Sequence, residues 1–362
     1  MTTARLERLR AALAAINLDA LIVTHPPNVR YLTGLAASVG AVFVDAVGCT
    51  LIVDARYVEA ARLAAQGTAG CTVRLASAGL DSAIAEEAMS SGVGRLGVEA
   101  AYLPVARYHR LAAAVAAAVP RQQLVPTEQI VERGRVVKDA GEIATLRDAA
   151  RRLSLVASRA REFVQPGRSE RDVAALVDAA IRDAGFERPA FETIVASGPN
   201  SAFPHARPTS RILREGEGVV LDFGGIYDGY CVDLTRTVHL GPWTPGLRRL
   251  FEAVAEAHAA GIAAVTPGAL AADIDGAARR ALERHGLLDA FGHGTGHGLG
   301  LEVHEDPRIS PHAAADERVT AGMVFTIEPG AYVPGIGGVR IEDDVLVTGT
   351  GCELLTDVAV EL

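Results

Sequence analysis

The sequence predicts an α/β domain at the amino terminus, followed by an α+β domain that contains an internal duplication. The 362 residues exceed what one compact core usually spans. Helical and strand patterns alternate in the first part of the chain, and a helix–helix–strand unit occurs twice in the remainder. We place the two domains at residues 1–133 and 134–362.

The first domain shows alternating apolar patterns. They predict helices at residues 4–16 and 55–65 and strands at residues 20–23, 41–44 and 50–53. The alternation ends near Val131, and the charged segment that follows predicts the domain boundary within residues 131–138.

The second domain contains two similar helix pairs. The first pair is predicted at residues 139–163 and 169–184, and the second at residues 247–265 and 271–285. Within each pair the first helix ends at a Pro-Gly stop, at Pro166-Gly167 and at Pro267-Gly268, and each pair precedes a strand-rich segment. This repeat indicates an internal duplication with the site between the halves.

Composition excludes several classes of function. The net charge of −9 disfavours nucleic acid as a partner, and the single lysine, Lys138, rules out a Walker-type phosphate loop. No apolar run is long enough for a membrane span, and the amino terminus resembles an amphipathic helix rather than a signal peptide. The four cysteines are widely spaced, as is typical of buried thiols in a reducing compartment. We therefore expect a cytoplasmic protein without a membrane or nucleic-acid partner.

Four carboxylates and one histidine stand out in the second domain. Asp222 lies in VVLDFGG, Glu328 in FTIEPG and Glu342 in VRIEDD, and these are joined by Asp233 and by His297 in GHGTGHG. An isolated carboxylate in an apolar run is costly to bury, so several of them indicate a shared cationic partner. Oxygen ligands with one imidazole suit two divalent cations.

The two aspartates are predicted to lie on one hairpin. Residues 219–240 alternate around an Asp228-Gly229 turn, which places Asp222 opposite Thr235 and Gly224 opposite Asp233. Both aspartates then share one face as diagonal neighbours. The alternative is an ordinary hairpin whose acids face solvent.

The order Asp, Asp, His, Glu, Glu with these flanking residues resembles the pita-bread metallopeptidases: methionine aminopeptidase, aminopeptidase P and Xaa-Pro dipeptidase (prolidase). The resemblance is strong over residues 137–362. It is looser over residues 1–133, where PNVRYLTG at 27–34 and LGVE at 96–99 look like the amino-terminal domain of the proline-specific members. It implies a creatinase/prolidase-like amino-terminal domain and a pita-bread catalytic domain.

The resemblance implies roles for the five ligands. Asp222 and His297 would bind different metal ions, Asp233 and Glu342 would bridge both, and Glu328 would bind the His297 metal and shuttle a proton. Two divalent ions are expected, with manganese favoured and cobalt, iron and zinc as alternatives.

Further residues are expected to contact the substrate. By the resemblance, His205 and His304 would hold the carbonyl and the oxyanion, and His293 would face the substrate; for each, the alternative is a structural histidine. Arg340 is expected on the same strand face as Glu342, where it would hold the acids in place beside the substrate. Its alternative is a surface arginine.

Arg308 bears on the length of the substrate. In LGLEVHEDPR it resembles a prolidase arginine that meets the carboxylate of a terminal proline, a role that suits the planar guanidinium. The alternative is a surface ion pair with Glu305 or Asp306.

The function that the resemblance implies is hydrolysis of Xaa-Pro dipeptides by a homodimer in which residues 1–133 help to close the partner's site. Aminopeptidase P, which acts on longer Xaa-Pro peptides, is the main alternative. Methionine aminopeptidase usually lacks a domain like residues 1–133. Creatinase-type hydrolases lack this metal set, and non-catalytic binding proteins of this fold typically lose ligands.

Overall fold

In the computed structural model, which describes residues 2–118, 122–356 and 358–360, the chain divides into two units. The first is Met1–Arg135 and the second is Val136–Leu362. The observed division, between residues 135 and 136, lies two residues after the predicted boundary between residues 133 and 134.

The first unit is built around a mixed six-stranded sheet. Its helices are α1 (Thr2–Ala15), α2 (Pro26–Thr33), α3 (Val58–Gln66), α4 (Leu80–Ser91), α5 (Val105–Ala118) and α6 (Ile130–Val136). Its strands are β1 (Ala20–Val23), β2 (Ala41–Asp45), β3 (Cys49–Val53), β4 (Cys71–Leu75), β5 (Arg95–Glu99) and β6 (Gln123–Thr127). The strand order is β4-β3-β2-β1-β5-β6. The predicted strands are confirmed, whereas α3 begins later than predicted because a turn at Asp54 precedes it, with Tyr57 N donating to Asp54 O.

One buried carboxylate joins the two motifs that resemble an amino-terminal prolidase domain. Glu99, at the end of β5, accepts hydrogen bonds from Thr24 N (2.6 Å), His25 N (2.8 Å) and Asn28 Nδ2 (2.7 Å). The carboxylate therefore holds the start of α2 against the sheet.

The division between the units lies within residues 131–138, where the sequence predicts the boundary, and α6 occupies most of that segment. Val131 and Arg135 are buried, and Arg135 Nη1 donates to Asn28 Oδ1 at 2.6 Å. Its charged composition resembles a linker, but these contacts tie the segment to the first unit.

The second unit contains two helix pairs, each followed by strands. Its helices are α7 (Ala140–Phe163), α8 (Glu170–Asp183), α9 (Pro245–Ala264) and α10 (Ala271–Arg284). The strands of the first half are β7 (Arg188–Pro189), β8 (Ile194–Ser197), β9 (Gly218–Tyr227) and β10 (Tyr230–His239). Those of the second half are β11 (Gly296–Gly298), β12 (Glu305–Ile309), β13 (Val324–Ile327), β14 (Gly330–Val333), β15 (Gly337–Arg340), β16 (Asp343–Val347) and β17 (Cys352–Leu354).

The strands form three sheets. One sheet has the order β10-β9-β7, with β8 also pairing with β9; a second has the order β12-β11-β13-β16-β17; and β14 pairs with β15. In the β9–β10 hairpin Asp222 pairs with Thr235 and Gly224 with Asp233, so the predicted register is confirmed.

The two halves repeat one another in detail. Gly167 and Gly268, which follow α7 and α9, share a left-handed conformation with φ of 89° and 91°. Directly after them, Ser169 forms an antiparallel bridge with Ile212 in the first half, and Leu270 forms one with Arg318 in the second. The same turn and bridge at corresponding places support the predicted duplication.

The predicted placement of Arg340 and Glu342 on one strand was wrong. Arg340 ends β15, Glu342 lies between strands, and β16 begins at Asp343 in a different sheet. The connection instead runs beside β10, where Glu342 N donates to Thr235 O at 3.1 Å and Thr237 Oγ1 donates to Arg340 O at 2.9 Å.

Among the described residues, the helices are too short or too polar to cross a membrane. All four cysteines are free thiols: Cys49 and Cys231 are buried, and Cys71 and Cys352 are partly buried. Cys49 and Cys71 are paired on β3 and β4, with their sulfur atoms 3.1 Å apart.

Candidate metal centre and substrate cavity

All of the predicted site residues line one cavity of about 520 Å³ in the second unit. The first half of the unit contributes its hairpin aspartates and one loop histidine, and the second half contributes the rest. These residues are Asp222, Asp233, His205, His293, His297, His304, Arg308, Glu328, Arg340 and Glu342.

The hairpin brings two buried aspartates to the cavity. Asp233 N donates to Asp344 Oδ2 at 3.0 Å, and Asp233 Oδ1 accepts from Leu234 N at 2.8 Å. Burial, followed by repulsion from Asp222, raises the pKa of Asp233 well above its ordinary value. The carboxylate is therefore held in place and lacks enough cationic compensation.

His297 presents a neutral imidazole. Its Nδ1 lies 3.2 Å from Gly298 O, which leaves Nε2 facing Glu328 Oε1 at 3.4 Å. Burial and the neighbouring His304 lower the pKa of His297 to about 3. A neutral ring whose other nitrogen contacts a carbonyl is the usual state of a metal-binding histidine.

Glu328 follows β13 and is positioned by Thr326 and Thr295. The Thr326 hydroxyl accepts from His297 N at 3.1 Å and donates to Glu328 Oε1 at 3.5 Å, while Glu328 N donates to Thr295 O at 2.7 Å. Burial raises the pKa of Glu328 to about 7, although the nearby Arg340 opposes that shift.

Of the two glutamates in the cavity wall that follow β13 and β15, Glu342 has the shorter side-chain hydrogen bond. Its Oε2 accepts from Thr235 Oγ1 at 2.6 Å, and its carbonyl oxygen accepts from Arg236 Nη1 at 2.5 Å. Burial, followed by repulsion from Asp233, raises the pKa of Glu342 well above its ordinary value. Both its side chain and its backbone are thus fixed to β10.

These donors fit a divalent metal site. Ligand atoms of Asp233, His297 and Glu342 lie within 4.8 Å of one another, and all three residues are buried. Asp222 and Glu328 line the same cavity and contribute to the repulsion on Asp233. Several desolvated carboxylates around a neutral imidazole favour hard cations, which remove the repulsion that destabilises them.

Arg340 is buried, so the alternative of a surface arginine was wrong. Its guanidinium contacts Asp222 Oδ2 and donates to Tyr332 Oη at 2.7 Å and Pro204 O at 3.2 Å. It also donates to Thr235 Oγ1 at 3.3 Å, and this hydroxyl in turn donates to Glu342. Arg340 thus holds Asp222 directly and Glu342 through Thr235.

The other three histidines differ in their contacts. His205 and His304 are exposed within the cavity, and the rings of His304 and His297 are 4.3 Å apart. His293 Nε2 lies 3.0 Å from Tyr332 Oη and its Nδ1 lies 2.8 Å from Gly294 O, while burial lowers its pKa to about 4. Both nitrogens of His293 therefore contact protein atoms, as the structural alternative expects.

Arg308 lies opposite His297 in the β11–β12 pairing and is exposed. No carboxylate among the described residues forms an ion pair with it. Glu305, one of its two predicted surface partners, pairs instead with Lys138 Nζ at 3.5 Å. The guanidinium is therefore available to a ligand in the cavity.

Sequence reasoning missed the residues that hold the ligands in place. They are Thr235, Thr326, Tyr332, Arg236 and Asp344, and they act through contacts between distant parts of the chain. The adjacent acids in VRIEDD were the one local signal, since three carboxylates in a row after an apolar strand need separate partners.

Comparison with known proteins gives a consistent result. Residues 144–349 match the model of metallopeptidase family M24, and residues 5–137 match that of the creatinase/prolidase N-terminal domain. The chain is 36% identical over 358 residues to the uncharacterized peptidase YqhT of Bacillus subtilis, with 99% of each chain covered.

Solved structures of proline-specific peptidases are similar over the whole chain. An Xaa-Pro dipeptidase from Bacillus anthracis has a TM-score of 0.94 at 33% identity, covering 100% of this chain and 99% of that one. An X-Pro aminopeptidase from Thermotoga maritima has a TM-score of 0.87 at 29% identity, covering 97% and 99%.

Proposed function

The chain belongs to metallopeptidase family M24, as its resemblance to the pita-bread enzymes predicted, and we propose that it hydrolyses Xaa-Pro dipeptides using two divalent metal ions. Membership of the family makes it a metallopeptidase and implies divalent metal ions. The observation that carries the finer proposal is the meeting of four carboxylates, a neutral imidazole and an arginine that has no ion pair within the described ranges, all in one cavity.

The proposed ligands are Asp222, Asp233, His297, Glu328 and Glu342. Asp233 and Glu342 would bridge the two ions, since they are buried close together and Asp233 raises the pKa of Glu342. The oxygen-rich donor set favours manganese over softer ions. When bound, the ions would lower the pKa of a water molecule and polarise the scissile carbonyl.

Glu328 is proposed to move the proton. Its carboxylate would accept a proton from the attacking water and deliver it to the proline nitrogen as the peptide bond breaks. Its position supports this role, because it lies at the end of β13 beside both His297 and the open cavity.

His205 and His304 are proposed to donate to the substrate. Both reach the cavity without a protein partner for their ring nitrogens among the residues that the structure describes. Burial lowers the pKa of His304, which favours a neutral ring with one N–H group for the carbonyl or the oxyanion. His293 is assigned to the wall of the substrate cavity.

Arg308 favours a dipeptide over a longer peptide. A guanidinium can bind the free carboxylate of a terminal proline with two parallel hydrogen bonds, an interaction that a longer peptide would lose. The similarity to the Thermotoga aminopeptidase supports aminopeptidase P as the second candidate.

The test compares three substrates with and without a chelator. We expect Ala-Pro to be cleaved, with activity lost on chelation, two metal ions bound per chain, and much slower cleavage of Ala-Pro amide and Ala-Pro-Ala. Arg308→Ala should remove the preference for the free carboxylate. Faster cleavage of the tripeptide would instead assign the chain to aminopeptidase P, and one ion per fully active chain would contradict the dinuclear site.

A further inference from the structure

We propose that Glu170 is a positioning residue that fixes the loop carrying His205, and that it acts on catalysis through that histidine. The proposal rests on the proposed function, in which His205 contacts the substrate. Glu170 does not line the cavity itself, so its effect would be indirect.

Glu170 is the first residue of α8 and is fully buried. Its Oε1 accepts from Ser197 N at 2.8 Å and from Ser197 Oγ at 2.7 Å. Its Oε2 accepts from Thr209 N at 3.0 Å and from Thr209 Oγ1 at 2.6 Å. Asn200 Nδ2 lies 3.0 Å from both oxygens. One carboxylate therefore binds both ends of the intervening loop.

The loop between these contacts forms one wall of the cavity. Five consecutive residues, 204–208, line it, with His205 among them. The middle of the loop has its own links to the metal centre, because Gly338 N donates to Ser201 Oγ at 2.8 Å and Arg340 donates to Pro204 O. Each end has a backbone contact of its own, Ser197 with Val219 of β9 and Thr209 O with Arg171 N, and the Glu170 carboxylate joins the two ends to each other.

The number of donors requires an ionised carboxylate. Burial alone would raise the pKa of Glu170, but hydrogen bonds from Thr209 and Ser197 outweigh this effect and lower the pKa below its ordinary value. A glutamine at this position would have the same size, but its NH₂ group would face donors that need an acceptor. Glu170→Gln should therefore loosen one end of the loop without leaving a cavity under α8.

A second helix, in the other half of the unit, has a similar arrangement. Asp275 of α10 is buried and accepts from Thr295 N at 3.2 Å and Thr295 Oγ1 at 2.8 Å. Its ion-pair partner Arg279 contacts the carbonyl of His293. Each half of the duplicated unit thus has a buried helix carboxylate that holds the loop bearing a site histidine.

The first experiment is a double-mutant cycle on Ala-Pro hydrolysis. Glu170→Gln should lower kcat/KM by about 10- to 100-fold, the usual cost of displacing a catalytic group, with metal content unchanged. In a His205→Ala background the same substitution should change kcat/KM by less than about twofold, because its effect is already lost. Equal effects in both backgrounds would overturn the proposal.

The matched control is Asp172→Asn. Asp172 lies on the same helix and accepts from Ser169, so its substitution removes one charge and weakens the capping box without touching the loop. It should leave kcat/KM within about twofold of the wild type while lowering stability by an amount typical of a lost cap. A rate loss as large as that of Glu170→Gln would mean that α8 stability alone is responsible.

Hydrogen exchange provides a readout that does not need activity. In Glu170→Gln the amides of residues 197–209 should exchange faster than in the wild type, while those in the middle of α8 stay unchanged. Unaltered loop exchange would overturn the positioning role even if the rate fell. A wild type that binds metal but does not cleave Ala-Pro would contradict the proposed function and leave this measurement interpretable.

If Glu170→Gln does not fold, Thr209→Val removes one donor to the carboxylate and should give the same changes on a smaller scale.

Discussion

At the scale of single residues, uncompensated negative charge governs the site. Asp233 and Glu342 are buried beside each other, and repulsion adds to the burial that raises their pKa values. Asp344 is fully buried behind them, and its Oδ1 has no hydrogen-bond partner in the described part of the chain. Among the residues that the structure describes, Arg340 is the one guanidinium that contacts the side chain of a proposed ligand, Asp222. These buried carboxylates must be protonated or paired with cations. The groups proposed to bind metal therefore also affect the stability of the fold.

The first prediction concerns Asp233. Asp233→Asn keeps the size and the Leu234 contact but removes the bridging charge, so kcat should fall by more than about 100-fold and bound metal should fall below two ions per chain. The measurements are steady-state kinetics and metal analysis, with circular dichroism to verify folding. Asp316→Asn, an exposed acid, is the control. Near-normal activity of Asp233→Asn would show that this carboxylate does not bridge metal ions.

The second prediction concerns Arg340. Arg340→Met leaves Asp222 buried without its partner, which should cost about 3–5 kcal/mol of unfolding free energy in metal-free protein. Urea unfolding after chelation measures this loss. Added metal should recover part of it, because the cation replaces the lost positive charge. A loss below about 1 kcal/mol, the size of a surface pair, would mean that the contact with Asp222 contributes little.

At the scale of elements, local signals predicted whatever depends on neighbouring residues. The Asp228-Gly229 turn was enough to predict the hairpin register, since a two-residue loop fixes the pairing of both strands. The start of α7 was equally readable, because Asp139 and Glu142 form a capping box. The predicted positions of Asp222 and Asp233 on this hairpin followed from the turn.

Features that depend on distant contacts could not be predicted in this way. Hydrogen bonds from Thr235 and Arg236 of β10 hold Glu342 between strands, and Arg135 of α6 donates to the distant Asn28. The residues that form these hydrogen bonds lie far apart in the sequence, so no local pattern indicates that they are partners. For the same reason the second set of residues around the ligands was not recognisable before the fold was known.

The third prediction tests the close packing of the hairpin. A Cβ at Gly224 would lie 2.4 Å from Val232 O and 2.8 Å from Phe191 Cε1. Gly224→Ala should therefore destabilise the protein by about 3 kcal/mol and weaken metal binding, because the strands that carry both aspartates must separate. Thermal unfolding and metal titration are the measurements. Gly292→Ala, where the Cβ meets no atom within 4 Å, should be close to neutral. Equal effects at the two glycines would rule out this steric explanation.

At the scale of the molecule, the second unit is a duplication whose halves contribute different members of the proposed ligand set. The first half supplies Asp222 and Asp233, and the second supplies His297, Glu328 and Glu342. Neither half alone contains both the imidazole and the hairpin acids. The proposed metal site would therefore join the two halves, and binding of metal should stabilise the whole unit rather than a single loop.

The fourth prediction is the oligomeric state. Similarity to two-domain proline-specific peptidases and the prevalence of two-fold assemblies favour a homodimer in which residues 1–133 help to close the partner's site. Sedimentation at micromolar concentration should give twice the mass of the chain, and dilution that separates the subunits should lower the rate per chain. A monomer with full activity would refute this assembly.

The last prediction is that metal stabilises the protein more strongly as the pH rises. In chelated protein the folded-state pKa of Glu328 is raised to about 7, and those of Asp233 and Glu342 are raised well above their ordinary values. An acid with a raised folded-state pKa binds its proton more tightly in the folded state, so its contribution to stability is lost as the pH rises towards that pKa.

The histidines act in the opposite direction at lower pH. The lowered pKa of His297, about 3, means that stability increases with pH until the ordinary value of 6.5 is passed, above which the ring is neutral in both states. From pH 6.5 to pH 8 the acids therefore dominate, and chelated protein should become less stable. Metal binds the ionised carboxylates and must displace their protons at lower pH, so its stabilising effect grows as the acids ionise. The rise in Tm on adding manganese should thus be about 5 °C larger at pH 8 than at pH 6.5. Scanning calorimetry of chelated and loaded protein at both pH values measures it, and an equal rise at the two would mean that these carboxylates are not the metal ligands.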